Sequence, residues 1–185
     1  MRIITGRAKG LRLKTPAGLS TRPTSDRIKE SLFNILHGLI DFAEIKSVLD
    51  IFAGTGALGL EAMSRGAQTA TFIDLATSAI IRDNVARAKF SDTSTILRGD
   101  FVQMLTRLSR QGATFDLIFS DPPYAKGLAQ MSLNLVSELN LLTSGGLMIV
   151  EHGASEILEL VPPKWSLVRQ MTYGRTTAIS MFKSQ

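Results

Sequence analysis

Apolar runs alternate with amphipathic stretches along most of the chain. From residue 46 onward, short runs rich in Val, Ile, Leu and Phe are separated by longer stretches in which apolar residues recur with helical spacing. This alternation predicts a parallel sheet that is covered by helices on both faces. The predicted strands lie near residues 47–51, 69–74, 94–98, 115–120 and 146–151.

The two ends of the chain follow a different pattern. Near the carboxyl end, apolar stretches at 166–171 and 177–182 flank the turn signal Tyr173-Gly174-Arg175, with no helical stretch between them. An antiparallel hairpin is therefore expected at this end of the sheet. Near the amino end, residues 2–4 and 11–14 flank a glycine-bounded turn and predict a small basic hairpin.

A helix is predicted to begin at Ser25-Asp26, because both residue types cap helices well. Arg27 and Lys29 fall outside its apolar stripe and can therefore face a ligand. The stripe consists of Ile28, Leu32, Ile35, Leu36 and Leu39. We expect a single domain, in which residues 1–24 form the basic hairpin and a loop, and residues 25–185 form this helix and the α/β core.

Composition narrows the class of protein. The chain has 185 residues, of which 44% are apolar, and this is enough to bury one full core. There is no cysteine, and the two histidines, His37 and His152, are expected to be structural, so no metal site is expected. No apolar run approaches the ~20 residues of a membrane span. We therefore expect a cytoplasmic monomer with no membrane partner.

A glycine-rich loop follows the first predicted strand. Its glycines have the spacing G-x-G-x-x-G from Gly54 to Gly59, directly before a helical stretch. This order of strand, loop and helix is typical of a site for a nucleotide-like cofactor. Phe52, Gly54 and Gly56 are expected to contact that cofactor.

Three acidic residues indicate which cofactor it is. Asp50 ends the first strand, where it would repel a pyrophosphate but could pair with the amino group of a methionine moiety. S-adenosylmethionine carries that amino group and no phosphate. Asp74 ends the second strand, where a carboxylate can accept both ribose hydroxyls. Asp100 follows the third strand, where it could accept the adenine amino group or simply cap a helix.

The tetrapeptide Asp121-Pro122-Pro123-Tyr124 follows the fourth predicted strand. An exocyclic amino group of a nucleobase is a weak nucleophile, because its lone pair is delocalised into the ring. A carboxylate and a proline-constrained carbonyl can accept both of its N–H bonds while an aromatic ring holds the base. Asp121, the Pro122 carbonyl and Tyr124 are therefore the candidate catalytic groups. A simple turn is the structural alternative.

Positive charge is concentrated near the amino end. Residues 1–35 carry eight basic and two acidic side chains, whereas the whole chain has a net charge of +5. A localised basic surface is typical of proteins that contact nucleic-acid phosphates. The predicted RNA-binding residues are Arg7, Lys9, Arg12, Arg22 and Arg27.

Four motifs together are characteristic: Arg2-Ile3-Ile4-x-Gly6, Arg22-Pro23-Thr24-x-x-Arg27-x-Lys29-Glu30, the loop from Asp50 to Glu61-Ala62, and Asp121-Pro122-Pro123-Tyr124. Through these motifs the chain resembles the bacterial 16S ribosomal RNA guanine-N2 methyltransferases of the RsmD type. The resemblance implies a Rossmann-like class I methyltransferase fold with a seven-stranded sheet in the order 3-2-1-4-5-7-6. It also implies methylation of one guanine in ribosomal RNA or the small ribosomal subunit. In two places the chain departs from the family: Asp74-Leu75-Ala76 replaces Glu-x-Asp, and Arg175 replaces an acid.

Three other functions are compatible with these motifs. An Asp-Pro-Pro-Tyr site also suits an adenine-N6 methyltransferase acting on DNA or RNA. A non-enzymatic RNA-binding module would leave the intact glycine loop and Asp121 unexplained. An NAD-dependent oxidoreductase would have to tolerate Asp50 beside the pyrophosphate.

Overall fold

Seven strands form one mixed sheet in the computed structural model, within the residues that it describes, 1–16, 23–124, 126–159 and 165–185. The strands are β1 (Ser47–Ile51), β2 (Thr69–Asp74), β3 (Ser94–Arg98), β4 (Phe115–Ser120), β5 (Leu142–Gly153), β6 (Trp165–Tyr173) and β7 (Thr177–Ser184). Their order is β3-β2-β1-β4-β5-β7-β6, with β1 to β5 parallel and β7 antiparallel to both neighbours. The predicted fold class, strand order and terminal hairpin are confirmed.

The fifth strand is longer than its apolar run suggests. It begins at Leu142, whereas the apolar pattern predicts a start near residue 146. The first residues of β5 are paired through an irregularity, because Phe115 of β4 is opposite Leu142 and Leu117 is opposite Leu147. The intervening residues are polar or glycine, so hydrophobic periodicity does not reveal them.

Five helices flank the sheet in the described part of the chain. They are α1 (Pro23–His37), α2 (Ala57–Arg65), α3 (Ser78–Arg87), α4 (Phe101–Arg110) and α5 (Leu128–Glu138), and two short 3-10 helices occur at Phe42–Glu44 and Ser91–Thr93. The first helix starts two residues before the predicted Ser25. The prediction for Leu39 is wrong, since this residue lies beyond the end of α1 and is 45% exposed. No helix within the described ranges has the length and apolar character needed to cross a membrane.

Alternate residues of the central strands enter two separate apolar layers. Val48 packs in a layer with α1, α2 and α3, whereas Leu49 packs on the opposite face with α4 and α5. In β4, Leu117 and Ile118 divide in the same way. Successive side chains of a strand point to opposite faces, so a continuous apolar run indicates a strand covered on both sides.

Residues 1–14 fold back on themselves and lie against the sheet-covering helices. Arg2 and Arg12 form one antiparallel bridge, and the N–H of Ile3 donates to the Leu11 carbonyl at 3.0 Å. The predicted basic hairpin is therefore present. Lys14 extends the contact to α3, because its N–H donates to Oδ1 of Asn84 at 2.7 Å.

The carboxylate of Glu61 in α2 holds this amino-terminal segment in place. It is completely buried and accepts the N–H groups of Ile4 at 2.8 Å and Thr5 at 3.1 Å. It also accepts bonds from Nζ of Lys29 and Nε of Arg65, each at 3.0 Å. One buried anion therefore joins the amino-terminal segment, α1 and α2.

Candidate active site

A large open cavity lies at the carboxyl ends of the central strands. Its volume is about 970 Å³. Open α/β sheets bind ligands at this edge, where the strand order reverses between β1 and β4. Six of the residues predicted to form a site line the cavity: Arg27, Asp50, Phe52, Gly54, Asp121 and Tyr124.

Asp50 lies at the base of this cavity and against the start of α2. Its Oδ2 atom accepts the N–H of Gly59 at 2.9 Å, so the carboxylate is directed at the amino end of the helix. A side chain at position 59 would place its Cβ 2.5 Å from Cε1 of Phe72, which explains the glycine. Burial raises the pKa of Asp50 to about 7, and Asp74 adds to this shift. The cavity therefore contains a carboxylate that has no cationic partner among the described residues.

The loop between Asp50 and α2 has a constrained backbone. Phe52 has a φ of 59°, and Gly54 and Gly56 have φ values of 56° and 77°. Phe52 is a non-glycine residue in the left-handed region, and such strain is concentrated at functional sites. Its ring packs against Phe101 at 4.7 Å between centroids. Gly56 is the N-cap of α2 and, unlike Gly54, is not in the cavity lining.

Asp74 and Asp100 bind backbone groups of their own loops. Asp74 accepts the Gly54 N–H through Oδ2 at 2.9 Å, and Oδ1 accepts those of Ala76 and Thr77. Asp100 is the N-cap of α4 and accepts the Val102 N–H at 3.0 Å. Neither residue lines the cavity. Asp74 therefore supports the glycine loop, and Asp100 has the capping role that was the alternative at this position.

Asp121 and Glu151 lie side by side on neighbouring strands. The last aligned pair of β4 and β5 is Ser120 with Val150, so the next residues along the strands are these two acids. Asp121 is exposed to the cavity but surrounded by its walls. Burial together with the negative charges of Glu151 and Asp50 raises the pKa of Asp121 well above its usual range. Burial also raises the pKa of Glu151.

The hydroxyl of Tyr124 links the Asp-Pro-Pro-Tyr turn to β5 and β7. It hydrogen-bonds to Oε1 of Glu151 and lies 3.0 Å from Oγ1 of Thr177. Burial and the bond to Glu151 raise the pKa of the Tyr124 hydroxyl above its ordinary value. Pro122, between Asp121 and Tyr124, is buried. The ring of Tyr124 is therefore held by two strands and remains 37% exposed at the cavity.

Sequence reasoning did not identify Glu151 or Tyr173 as residues of the site. The rule that identified Asp50 and Asp121, an acid at the carboxyl end of a buried strand, applies equally to Glu151 after the run 146–150. No comparable signal marks Tyr173, whose hydroxyl lies 2.9 Å from Oγ of Ser31 and which also lines the cavity. That contact joins residues 142 positions apart.

The predicted RNA-binding residues differ in their surroundings. Lys9 and Arg12 are exposed, and Arg27 is exposed at the rim of the cavity. Arg7 is also exposed, but its guanidinium donates to the Met63 carbonyl at 3.2 Å and lies 5.0 Å from the centre of the Phe90 ring. Arg22 lies outside the described residues.

Lys29 lines the cavity, but its ammonium group is engaged by a buried carboxylate. Its side chain is only 4% exposed and is paired with Glu61. The apolar stripe of α1 does not reveal this, because the partner lies on α2 and is distant in sequence. Burial lowers the pKa of Lys29, although the charge of Glu61 opposes the shift.

Neither histidine is among the described residues that line the cavity. His152 is fully buried, with Nε2 at 2.9 Å from Oγ of Ser180. His37 is in the last turn of α1 and is exposed. Across the described ranges, no group of three or more His, Asp or Glu side chains is arranged to hold a metal ion. The groups that line the cavity include three carboxylates and three aromatic side chains, which can bind N–H donors and stack on a base.

Comparisons with known proteins agree with this architecture. The solved structure of yhhF from Escherichia coli matches with a TM-score of 0.84 and 35% identity, covering 100% of this chain and 99% of that chain. An O-methyltransferase from Bacillus cereus, solved in complex with SAH, matches with a TM-score of 0.68 over 92% of this chain and 84% of that chain. Its identity is 17%, so this likeness concerns the fold alone.

Sequence relatives extend over nearly the full chain. The ribosomal RNA small subunit methyltransferase D of Escherichia coli (strain K12) is 36% identical over 177 residues, which cover 95% of this chain and 86% of that protein. A family model described as Conserved hypothetical protein 95 matches residues 1–182. The chain therefore belongs to the Conserved hypothetical protein 95 family and is a relative of the ribosomal RNA small subunit methyltransferase D proteins.

Proposed function

We propose that this protein transfers a methyl group from S-adenosylmethionine to the exocyclic N2 of a guanine in small-subunit ribosomal RNA. The observation that carries the proposal is that Asp50 and Asp121 line one cavity at the carboxyl ends of β1 and β4. The Asp50 carboxylate suits the cationic amino group of the cofactor, and the Asp121 carboxylate suits the amino group of a base. The kinship with ribosomal RNA methyltransferases supports RNA as the substrate.

The residues around Asp50 fit S-adenosylmethionine. The buried Asp50 carboxylate has a raised pKa, so a cationic amino group placed beside it would offset the cost of its burial. A diphosphate at the same position would add negative charge next to a buried anion. Gly54 and Phe52 would lie along the cofactor in the cavity wall. Asp74 would contribute by fixing the loop through Gly54, and a ribose contact would require it to release one of its backbone partners.

The chemistry assigned to Asp121 follows from the charge that develops on the nucleophile. When bound, S-adenosylmethionine supplies an activated methyl group, so no covalent protein nucleophile is required. Asp121 accepts one N2–H, directs the lone pair, stabilises the positive charge that forms on N2 and takes the proton. The Pro122 carbonyl accepts the second N2–H, and the Tyr124 ring stacks on the base.

The substrate base must be extruded from its stack to reach these groups. A base in a loop or bulge of RNA is removed at lower cost than one inside a helix. Arg27, which lines the cavity, and the exposed Lys9 and Arg12 would contact phosphates of the surrounding RNA. We propose that Arg7 and Arg22 also contact the RNA.

Mass mapping of modified nucleotides tests this function. Small-subunit RNA, assembled small subunits and DNA are each incubated with the protein and S-adenosylmethionine, and the products are digested and sequenced by mass. We expect one N2-methylguanine in ribosomal RNA. N6-methyladenine in any pool would instead support the adenine-N6 alternative, and no methylated nucleotide in any pool would contradict both. Asp121→Asn should strongly reduce the amount of product formed in a fixed time, whereas Asp83→Asn, at an exposed site on α3, should not.

A further inference from the structure

We propose that Glu151 selects guanine by accepting the N1–H of the substrate base next to the N2 amino group held by Asp121. This inference rests on the function proposed above and adds to it the residue that separates guanine from adenine.

The sheet brings the two carboxylates into adjacent positions. Ser120 is aligned with Val150, so Asp121 and Glu151 follow as neighbours at the ends of parallel strands, which are about 4.8 Å apart. Both residues line the cavity. The two acceptors therefore face the same space and can bind adjacent donors on the edge of one ligand.

Tyr124 and Thr177 orient the Glu151 side chain. A phenol has one proton to donate, and an ionised carboxylate can only accept, so the Tyr124 hydroxyl donates to Oε1 of Glu151. Oγ1 of Thr177, 3.0 Å away, then donates to the Tyr124 oxygen. Oε2 of Glu151 accepts no bond from the described residues and is left for a ligand.

The donor pattern of guanine matches this pair of acceptors. Guanine presents N1–H and the N2 amino group side by side, whereas N1 of adenine is an acceptor without a proton. A guanine edge would supply donors to both carboxylates and relieve the repulsion between them. An adenine edge would direct the N1 lone pair at Glu151, and an unpaired buried acceptor is costly.

A base analogue that retains the reacting amino group tests this selection. RNA is prepared with either guanine or 2,6-diaminopurine at the position identified by mapping, and methylation at N2 is compared. Diaminopurine has the same N2 amino group, but its N1 is an acceptor. The wild-type protein should prefer guanine, and Glu151→Gln should reduce this preference by about tenfold or more, because its amide can donate to N1.

Tyr124→Phe provides the matched control, since it removes the bond to Glu151 but leaves the carboxylate. It should lower the rate on both RNAs and keep a clear preference for guanine. If Glu151→Gln changes the two rates equally, Glu151 only positions Tyr124 and the inference is wrong. If Glu151→Gln turns over neither RNA, the ratio of their dissociation constants replaces the ratio of rates, and an unchanged ratio is again the contradicting result. Absence of N2-methylguanine with the wild-type protein would contradict the proposed function itself.

Discussion

Nζ of Lys29 lies 3.0 Å from Oε2 of Glu61, with 4% and 0% of the two side chains exposed. Arg65 approaches the other oxygen of the same carboxylate at 3.0 Å and is 8% exposed. Two cationic partners and two backbone donors offset the desolvation cost of this buried carboxylate. Removing the anion would leave both cations without their counter-ion.

Glu61→Gln should therefore lower the free energy of unfolding by about 3–5 kcal/mol, the usual effect of breaking a buried ion pair from one side. Burial already lowers the pKa of Lys29, so its folded state releases the proton before the unfolded state does. Stability then rises with pH between the lowered and the ordinary pKa, and the penalty of the variant should shrink as the pH increases. Urea denaturation at two pH values measures both effects.

The exposed pair Lys14–Asp83 provides the control for this experiment, because both side chains are more than half exposed. Asp83→Asn should change the unfolding midpoint very little. Equal effects of Glu61→Gln and Asp83→Asn would contradict a structural role for the buried cluster.

Asp121→Asn should separate chemistry from cofactor binding. The amide keeps the size of the side chain but cannot take a proton, so the methylation rate should fall about a hundredfold or more, with S-adenosylmethionine affinity nearly unchanged. Single-turnover kinetics and calorimetric titration measure the two quantities. A variant with normal turnover would exclude Asp121 from the reaction.

The rate should also depend on pH through Asp121. Burial and the charges of Glu151 and Asp50 raise its pKa, and only the ionised form can accept the proton. Activity should therefore rise with pH through a value above the ordinary range of an aspartate. A flat single-turnover profile from acidic to neutral pH would disagree with this assignment.

Asp50→Asn should increase stability while weakening cofactor binding. The folded protein holds a proton on Asp50 between the ordinary pKa of 3.8 and about 7, so stability decreases as the pH rises through this window. The amide retains an acceptor for the Gly59 N–H. At pH 8 the gain should be on the order of 2–4 kcal/mol, since one pKa unit corresponds to about 1.4 kcal/mol.

The same variant should bind S-adenosylmethionine less tightly, because an amide cannot neutralise the cationic amino group. Denaturation curves at pH 5 and pH 8, together with calorimetric titration, measure both changes. Unchanged affinity would remove Asp50 from the cofactor site.

Arg12→Ala and Arg27→Ala should weaken RNA binding and reduce its salt dependence, by about one unit of slope for each phosphate that the variant no longer binds. Arg7→Ala should in addition destabilise the fold, because Arg7 binds the Met63 carbonyl and the Phe90 ring. Arg110, in the last turn of α4 and exposed, is the control residue. Wild-type affinity and slope in both Arg12→Ala and Arg27→Ala would contradict the RNA-surface assignment.

Local pattern predicted the strands well, because residues such as Val48 and Leu49 are buried on both faces of the sheet and form continuous apolar runs. It also placed Asp50 and Asp121 at the carboxyl ends of their strands. The strand order came from the resemblance to a known family, since periodicity carries no information on which strands pair.

Side-chain partners distant in sequence could not be predicted in this way. Lys29 falls outside the apolar stripe of α1 and has the spacing of a surface residue, yet its partner Glu61 is 32 residues away. Asp74 was correctly placed at a strand end, but whether its oxygens face a ligand or the Gly54 N–H depends on the loop backbone. Tertiary packing determines which partner each of these side chains binds.

The amino-terminal segment binds partners that are synthesised after it. Ile4 and Thr5 bind a carboxylate that is 57 and 56 residues further along the chain, and Lys14 binds Asn84 across 70 residues. During synthesis these first residues emerge long before their partners, and closing such loops carries an entropic cost that must wait for α2 and α3. Met1 and Lys29 line the cavity together with Asp121, Glu151 and Thr177, so its wall combines residues from distant parts of the chain. With this topology we expect the cavity to be complete only after β7 has been synthesised.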